Sequence, residues 1–236
     1  MYELFYDLHI HSCLSPCGDD SATPASIAGF AKLNGLDVIA LTDHNTCRNC
    51  KAFIKACEFY DIIGICGMEL TVEEDFHIIC LFYDLNSALS FDSYVYEHLI
   101  KVKNIEKYYG NQLIVDCDDN IISKEENLLI LSTNISYEEV YDLVKNYNGI
   151  CFPAHIEKES TSLLSVLGLI PLNSKFNTYE IMSMNNLHKI KEKNKILNGK
   201  IILQNSDAHN LENIHKKEFS LISKEKNVKS ILDYLK

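Results

Sequence analysis

The chain has 236 residues, of which 47% are apolar and 23% charged, and this globular composition excludes a disordered or collagen-like chain. Its 33 acidic and 22 basic residues give a net charge of −11, which argues against binding nucleic acid through a basic face. No stretch approaches the roughly 18 apolar residues that cross a bilayer, and the acidic start lacks a signal peptide's basic region. We therefore expect a cytoplasmic protein with no membrane partner and a single domain, residues 1–236.

Up to about residue 85, short apolar runs alternate with helical patterns. The predicted elements are a strand Phe5–Ile10, a helix from Thr23 to Asn34, a strand Asp37–Leu41, a helix Lys51–Tyr60, and strands Ile62–Leu70 and Phe76–Tyr83. Pro24 suits the first turn of its helix and Gly35 closes it. This alternation predicts βαβ units with parallel strand pairing.

The pattern changes between about residues 86 and 148. It predicts one amphipathic helix Phe91–Tyr109, a hairpin of Gln112–Cys117 with Asn120–Ser123, and a capped helix Ser136–Asn146. We interpret residues of about 86–135 as a small inserted α+β segment that forms a lid or subdomain.

Strands and helices alternate again in the last third of the chain. The predicted elements are strands Ile150–Pro153, Thr178–Met182 and Lys200–Gln204, a helix Asn186–Leu197, a short strand Phe219–Ile222 and a terminal helix Val228–Leu235. Six or seven strands with intervening helices predict a small or distorted α/β barrel. Functional residues of such barrels lie where the strands end.

Histidines and carboxylates follow these strands. His9 and His11 share one face of the first strand, because side chains two residues apart point the same way. The other candidates are Asp43, His44, Glu69, His155, Asp207 and His209 at strand ends and His77 at a strand start. So many ionisable groups at one barrel end would be unfavourable without cations. Nitrogen and carboxylate donors suit zinc, manganese or iron, so we predict a metal cluster.

Five motifs in this order resemble those of the PHP (polymerase and histidinol phosphatase) domain family. They are Asp7-Leu-His-Ile-His-Ser12, Leu41-Thr-Asp-His-Asn45, Gly67-Met-Glu-Leu70, Pro153-Ala-His155 and Ser206-Asp-Ala-His209. The resemblance covers nearly the whole chain and is nearest to the stand-alone metal-dependent phosphoesterases. It implies an α/β fold, a distorted (β/α)7 barrel of the PHP type, that holds two or three divalent ions of zinc, manganese or iron.

The resemblance also implies a division of ligands. His9, His11, Glu69 and Asp207 would bind one ion, Glu69 with His77 and His155 a second, and His44 with His209 a third. The loop after His11 is longer than the family's usual turn, so its ligand to the third ion is ambiguous. Asp19 is the best chemical choice, with Asp20 and Cys17 as alternatives. Asp43 would orient a ring or a water molecule.

These features predict a hydrolase that cleaves a phosphomonoester with a metal-bridging hydroxide. A nucleotide bisphosphate or the 5′ end of a short oligonucleotide is the expected substrate, with no extended nucleic-acid surface. Glu69 would bridge the ions, and His209 or His44 could protonate the leaving group. Arg48, the only arginine, and Lys158, three residues after His155, could grip phosphate.

Three other functions stay open at this point. A histidinol-phosphate phosphatase would share the same core. An amidohydrolase also opens with His-x-His, but it commonly bridges its metals with a modified lysine, and no lysine ends a strand among these motifs. A non-catalytic metal-binding regulatory module would normally show lost ligands. The oligomeric state is not predicted.

The nine cysteines allow a second kind of metal site. Cys13 and Cys17 follow the first strand and Cys47 and Cys50 the second, so together they could hold zinc or an iron–sulfur centre. We favour free thiols, because the number is odd and a single Cys-x2-Cys is a weak signal. The other five, predicted as core residues, are Cys57, Cys66, Cys80, Cys117 and Cys151.

Overall fold

The computed structural model describes all residues, 1–236, as a mixed α/β fold. The first half contains β1 (Tyr2–Ile10), α1 (Pro24–Leu33), β2 (Val38–Leu41), α2 (Cys50–Tyr60), β3 (Ile63–Thr71), β4 (His77–Phe82), α3 (Leu85–His98), α4 (Glu106–Tyr109), β5 (Leu113–Val115) and β6 (Ile121–Lys124). The second half contains α5 (Tyr137–Asn146), β7 (Gly149–Pro153), α6 (Leu163–Leu167), β8 (Thr178–Glu180), α7 (Leu187–Lys193), β9 (Ile201–Leu203), β10 (Ser220–Ser223) and α8 (Val228–Leu235). No helix combines the length and the apolar character that crossing a membrane requires.

Seven strands, β1–β4 and β7–β9, form the ring of the distorted barrel that the sequence predicts, and β10 pairs with the start of β1. A curled sheet has the order β10-β1-β2-β3-β4-β7, and β8 pairs with β9 in a separate two-stranded sheet. Two backbone hydrogen bonds link these sheets: Ile156 N–H donates to the carbonyl of Glu180, and His11 N–H to that of Ala208, both over 2.9 Å. The ring therefore closes through single bonds at two places.

Strand β4 runs against both neighbours, so the prediction of purely parallel pairing is wrong at this strand. Thr71 at the end of β3 pairs with His77 at the start of β4. The turn between them, residues 72–76, is too short for a parallel crossover, which needs a dozen or more residues. Because β4 is reversed, its first residue lies at the edge where the parallel strands end. His77 thus shares that edge with the strand-end ligand candidates.

A β-bulge in β1 separates core from site. Between Asp7 and Ile10 the pairing of β1 with β2 shifts register. Leu8 belongs to an apolar cluster, whereas His9 and His11 belong to a polar one. Bulges of this kind re-aim side chains beside functional sites. The same strand can therefore contribute both to the core and to the two histidines.

Two apolar clusters hold the barrel together. The smaller one has 16 buried residues and joins the barrel strands to α8. Thr178, the first residue of β8, donates a hydrogen bond to the carbonyl of Leu235, which places the end of α8 at the edge opposite the histidines. The larger one has 40 buried residues and packs the outer helices on the sheet.

The predicted helix Phe91–Tyr109 is two helices in the structure. Helix α3 begins early because the Asp84 side chain caps it, accepting from Ser87 N–H at 2.9 Å. It ends at His98 because Leu99 bridges to Thr133 and is buried in a small separate cluster. The predicted hairpin is present as β5 and β6. The boundaries of the inserted segment, about 86–135, stay a prediction.

Candidate metal centre

Strand ends bring the predicted ligands to one edge of the barrel. Glu69 on β3 is the centre of the group, is buried, and lies within 3.3 Å of five imidazoles. Its Oε1 atom is 2.8 Å from His77 Nδ1, 3.0 Å from His155 Nε2 and 3.3 Å from His9 Nε2, and its Oε2 atom is 3.0 Å from His44 Nδ1 and 3.2 Å from His11 Nε2. A single carboxylate is thus placed to bridge two groups of donors.

Burial alone would raise the pKa of the Glu69 carboxyl. The charges of His77, His9 and His44 and a hydrogen bond with His11 outweigh it and hold that pKa well below its ordinary value. Glu69 therefore stays ionised, which is the state a metal ligand needs.

Asp207 completes the first donor group. Its Oδ1 atom lies 3.3 Å from the Nε2 atoms of both His9 and His11, and its Oδ2 atom accepts from Lys158 Nζ at 2.8 Å. Asp207 has a positive φ of 52° and His155 one of 28°. Non-glycine residues rarely adopt this conformation, and such strain concentrates at functional sites.

Hydrogen bonds on the outer nitrogens fix the tautomers of His9 and His11. His9 Nδ1 lies 3.0 Å from Glu180 Oε1, which can only accept, so the neutral ring carries its proton on Nδ1. His11 Nδ1 lies 2.8 Å from Ser15 Oγ, whose own proton goes to Asp43 Oδ1 at 2.7 Å. In the neutral rings, which are the forms that bind metal, both Nε2 atoms would carry lone pairs, and they lie 3.1 Å apart. Together with the carboxylates of Glu69 and Asp207 they form one compact group of nitrogen and oxygen donors, and such a group fits a metal ion.

Unpartnered buried atoms give the same indication. Those of the cluster are His44 Nδ1, Glu69 Oε2, His77 Nε2 and His155 Nδ1. His44 Nδ1 and Glu69 Oε2 are 3.0 Å apart, yet they do not form a hydrogen bond. Buried polar atoms without hydrogen bonds are costly, and an ion shared by His44 Nδ1 and Glu69 Oε2 would satisfy these two. His77 Nε2 and His155 Nδ1 are the ring nitrogens on the side away from Glu69.

Three overlapping sets of donor atoms result, each within 4.8 Å of one another. They are His9, His11, Glu69 and Asp207; His44, Glu69 and His77; and His11, His44 and His209. His155 lies beside the second set, 3.0 Å from Glu69 and 3.4 Å from His77. The charge of His11, together with burial, lowers the pKa of His209 to about 4, so its ring is neutral and can offer a lone pair.

The sequence profile of the PHP domain matches residues 7–197, which is most of the chain. The chain belongs to the PHP domain family. Asp207 and His209 lie beyond the matched residues, but the fold brings them into the same cluster. A comparison with curated protein sequences finds no match for this PHP domain.

Solved structures share the fold at low sequence identity. The lesion-specific endonuclease Q of Pyrococcus furiosus matches with a TM-score of 0.71 and 18% identity over 99% of this chain and 56% of its own. An amidohydrolase of Chromobacterium violaceum matches with a TM-score of 0.63 and 16% identity over 97% of this chain and 96% of its own. A protein described as a metal-dependent phosphoesterase, from Bifidobacterium adolescentis, matches with a TM-score of 0.52 and 16% identity over 97% and 94%. This PHP domain therefore spans about half the length of endonuclease Q.

Asp43 is buried behind the candidate ligands and hydrogen-bonds to the loop that follows His11. It accepts from Ser12 N–H and from the hydroxyls of Ser12 and Ser15, all at 2.7 Å. Ser15 Oγ in turn accepts from His44 N–H at 3.2 Å as well as from His11. Two metal-facing loops of this PHP domain thus depend on one buried serine.

The loop after His11 supplies no donor to the cluster. The Asp19 carboxylate is exposed and accepts from the backbone and hydroxyl of Ser21, and only the Asp19 backbone meets the site, donating to the His209 carbonyl. Asp20 accepts from Asn111 at 2.6 Å, and Cys17 is exposed. The prediction that this loop completes the third group is wrong in this structure, because local turn bonds turn Asp19 outward.

Arg48 does not face the ligands. Its guanidinium pairs with Glu125, lies 3.7 Å from Asp92 and stacks 4.4 Å from the Tyr96 ring centroid. The structure therefore does not place Arg48 at the phosphate site that the sequence suggested, because its guanidinium is already paired with two carboxylates. It joins the loop after β2 to α3 and to the segment after β6.

We expect Arg48→Ala to lower stability and to leave the KM for a small phosphoester unchanged. The substitution leaves the buried Glu125 without its main partner, which costs about 1–3 kcal/mol. That loss lowers Tm by roughly 2–4 °C for each kcal/mol in a chain of this size. Thermal unfolding and steady-state kinetics measure both effects. A tenfold rise in KM at an unchanged Tm would return Arg48 to the substrate site.

Lys158, unlike Arg48, lies next to the candidate metal centre. A cleft of about 140 Å3 opens beside the first donor group. It is lined by His155, Lys158, Glu180, Met182, Asn205, Ser206 and Asp207. Lys158 is partly exposed there while bound to Asp207, so its ammonium can meet an anion from solvent.

Sequence reasoning missed Glu180. This buried residue ends β8, contacts His9 Nδ1 with both oxygens, and accepts from Asn205 Nδ2 at 3.0 Å. A partial signal was present, because Glu180 is a carboxylate within the predicted strand Thr178–Met182, but only the observed end of β8 places it where Glu69 lies on β3. Ser15 was also missed, and nothing in its sequence context marks it.

The cysteines do not form a common site. Cys47 and Cys50 are buried against the Gly67 carbonyl, whereas Cys13 packs in a separate small cluster and Cys17 is exposed. All nine are free thiols, as favoured. Cys117 is exposed, so its prediction as a core residue is wrong: it lies at the tip of the β5–β6 hairpin.

Proposed function

We propose that this PHP domain is a metal-dependent phosphoesterase that hydrolyses a phosphomonoester, with a nucleotide bisphosphate or the 5′ end of a short oligonucleotide as its substrate. One observation carries the proposal: the Nε2 atoms of His9 and His11 converge with the carboxylates of Glu69 and Asp207 in one largely buried cluster. Family membership supports the same chemistry.

The residues of the centre have two roles: some would bind the metal ions, and others orient the side chains that bind them. Glu69 would bridge ions held by the three donor groups, and zinc, manganese or iron fit these nitrogen and carboxylate donors. Such ions, when bound, supply charge neutralisation for the phosphoryl oxygens and acidify a water molecule. Glu180, Ser15 and Asp43 hold the rings in the tautomers that ligation needs.

Lys158 would bind a phosphoryl oxygen at the cleft. Its ammonium is 2.8 Å from Asp207 Oδ2 and so is placed one side chain away from the first donor group. A phosphate in the cleft would contact this cation, the polar side chains of Asn205 and Ser206, and the candidate ligands that line the same cleft. His209 belongs to the third donor group and its pKa is lowered to about 4, so it would serve as a ligand and not as the acid that protonates the leaving oxygen.

Cleavage of a phosphodiester is the second candidate. Endonuclease Q gives TM-scores of 0.71 and 0.66, and the second structure is its complex with a 27-mer duplex that has an abasic lesion at the active site. The same bridged donors would serve a diester, since both reactions displace an oxygen at phosphorus. An amidohydrolase, a histidinol-phosphate phosphatase and a regulatory module remain alternatives for the assay to separate.

Phosphate release tests the proposal. The protein is loaded with manganese, zinc or iron and given nucleoside 3′,5′-bisphosphates, 5′-phosphorylated oligonucleotides, histidinol phosphate, a chromogenic diester and an abasic duplex. We expect metal-dependent release from a phosphomonoester that is absent in His9→Ala. Turnover of the diester or the duplex alone would replace the first candidate by the second. No turnover by protein shown to contain bound metal would contradict both.

A further inference from the structure

One surface segment has a charge opposite to that of the whole protein. Residues 184–200 contain five lysines and one acid, whereas the full chain has 33 acids and 22 bases. The lysines are Lys189, Lys191, Lys193, Lys195 and Lys200, and the acid is Glu192. The segment consists of two 3-10 turns that flank α7, followed by three residues that lead into β9. We call it the lysine segment.

The positive charge of this segment is not neutralised within the protein. None of its lysines forms an ion pair, and Glu192 is instead paired with His188 at 3.6 Å. Lys189, Lys193 and Lys195 are exposed, while Ile190 and Leu197 bury the opposite side and fix the segment to the core. The lysines are therefore held on a structured surface in water, available to external anions.

The lysine segment begins at the rim of the metal centre. Strand β8 ends at Glu180, which holds His9, and Met182 two residues later lines the cleft with Lys158. Met184 N–H then donates to Gln204 Oε1 at 2.7 Å, next to the cleft residue Asn205. From this rim the segment connects the end of β8 to the start of the parallel strand β9, so it runs back along the outside of the barrel. A chain of phosphates that leaves the cleft and follows α7 would pass Lys189 first and then Lys193 and Lys195.

We propose that the lysine segment binds the phosphate backbone of a nucleic-acid strand whose end lies in the cleft. The inference rests on the proposed phosphoesterase function and narrows its substrate class from mononucleotides to oligonucleotides. Lys189 and Lys193 are four residues apart in α7, hence on one face and about 6 Å apart along the helix axis. Lysine contacts to successive phosphates release counterions, which favours longer strands at low salt. The net charge of −11 is an average over the whole chain and does not reveal this local positive surface.

The test compares substrates of two lengths. The variant Lys189→Gln, Lys193→Gln, Lys195→Gln is assayed on a 5′-phosphorylated single-stranded 12-mer and on a nucleoside 3′,5′-bisphosphate. We expect KM for the 12-mer to rise about tenfold and KM for the bisphosphate to stay unchanged. The slope of log(kcat/KM) against log salt should fall by about 2 for the 12-mer, since each phosphate contact on a single strand contributes roughly 0.7.

A matched control removes the same charge elsewhere. Lys32 and Lys145 lie in the last turns of α1 and α5, and Lys224 lies after β10, all exposed and outside the lysine segment. Their triple change to glutamine should leave KM for the 12-mer unaltered. An equal rise in this control would mean that net charge alone matters, and would overturn the docking surface.

Equilibrium binding separates the inference from the proposed function. Fluorescence anisotropy with a labelled 12-mer needs no turnover and reports the lysine segment directly. Equal affinity of the lysine variant and the unchanged protein would overturn the docking surface while phosphoester hydrolysis stands. Lysine-dependent binding without hydrolysis of any phosphoester would support the surface and contradict the proposed function instead.

Discussion

Replacing Glu69 by glutamine is expected to lower kcat about a thousandfold or more and to remove at least one bound metal ion. Five imidazoles meet this one carboxylate, and glutamine keeps its shape but not its charge. Loss of a bridging ligand removes several kcal/mol of transition-state stabilisation, and each 1.36 kcal/mol is tenfold in rate. Metal analysis of purified protein and steady-state phosphate release measure the two effects.

Glu73→Gln serves as the control for this substitution. Glu73 is an exposed carboxylate four residues further along, in the turn after β3. It should retain both metal and activity. If Glu69→Gln kept a full complement of metal and more than a tenth of the rate, the bridging role assigned to Glu69 would be wrong.

The second large effect is expected from Glu180→Gln, which should weaken metal binding about 10–100-fold. The Glu180 carboxylate accepts the Nδ1 proton of His9, whereas a glutamine can present its NH2 group to the same nitrogen and favour the opposite tautomer. That tautomer carries its proton on Nε2, where the lone pair should face the metal. Competition with a chelator of known affinity measures the change.

Glu157 provides a matched comparison next to this site. It is a partly buried carboxylate that accepts from Met182 N–H and Ser183 N–H and has no contact with a ligand histidine. Glu157→Gln should leave metal affinity within about twofold, even if it changes stability. Equal losses in the two variants would show that Glu180 acts through general stability and not through His9.

Much of the metal centre could be predicted from local sequence, because strand ends converge at one edge of a barrel. His9, His11, Glu69 and Asp207 all follow this rule, and they meet in one group. His77 is the exception in the sequence, because it lies at the start of a predicted strand and not at its end. The reversal of β4 restores the rule, and only the length of the preceding turn could have indicated it.

The errors share one physical cause, which is that side-chain direction depends on distant partners. Arg48 follows β2, where a phosphate-binding residue could lie, but its guanidinium is paired with Glu125, 77 residues away in the sequence. Asp19 lies in the loop that the resemblance implies, yet its carboxylate turns outward because it accepts a hydrogen bond from Ser21, two residues later. Position along the chain predicts proximity to a site, whereas orientation requires the tertiary contacts.

The length of the β3–β4 turn fixes the position of His77 on β4 relative to Glu69 on β3. Val72 N–H donates to the Phe76 carbonyl, which leaves three residues at the tip, and the last of them, Asp75, has a φ of 65°. Side chains alternate between faces along a strand, so one residue gained or lost here would turn His77 away while Glu69 stayed in place. Natural variants of this protein should therefore differ in length in the loops of residues 99–124, and hardly ever within these five positions.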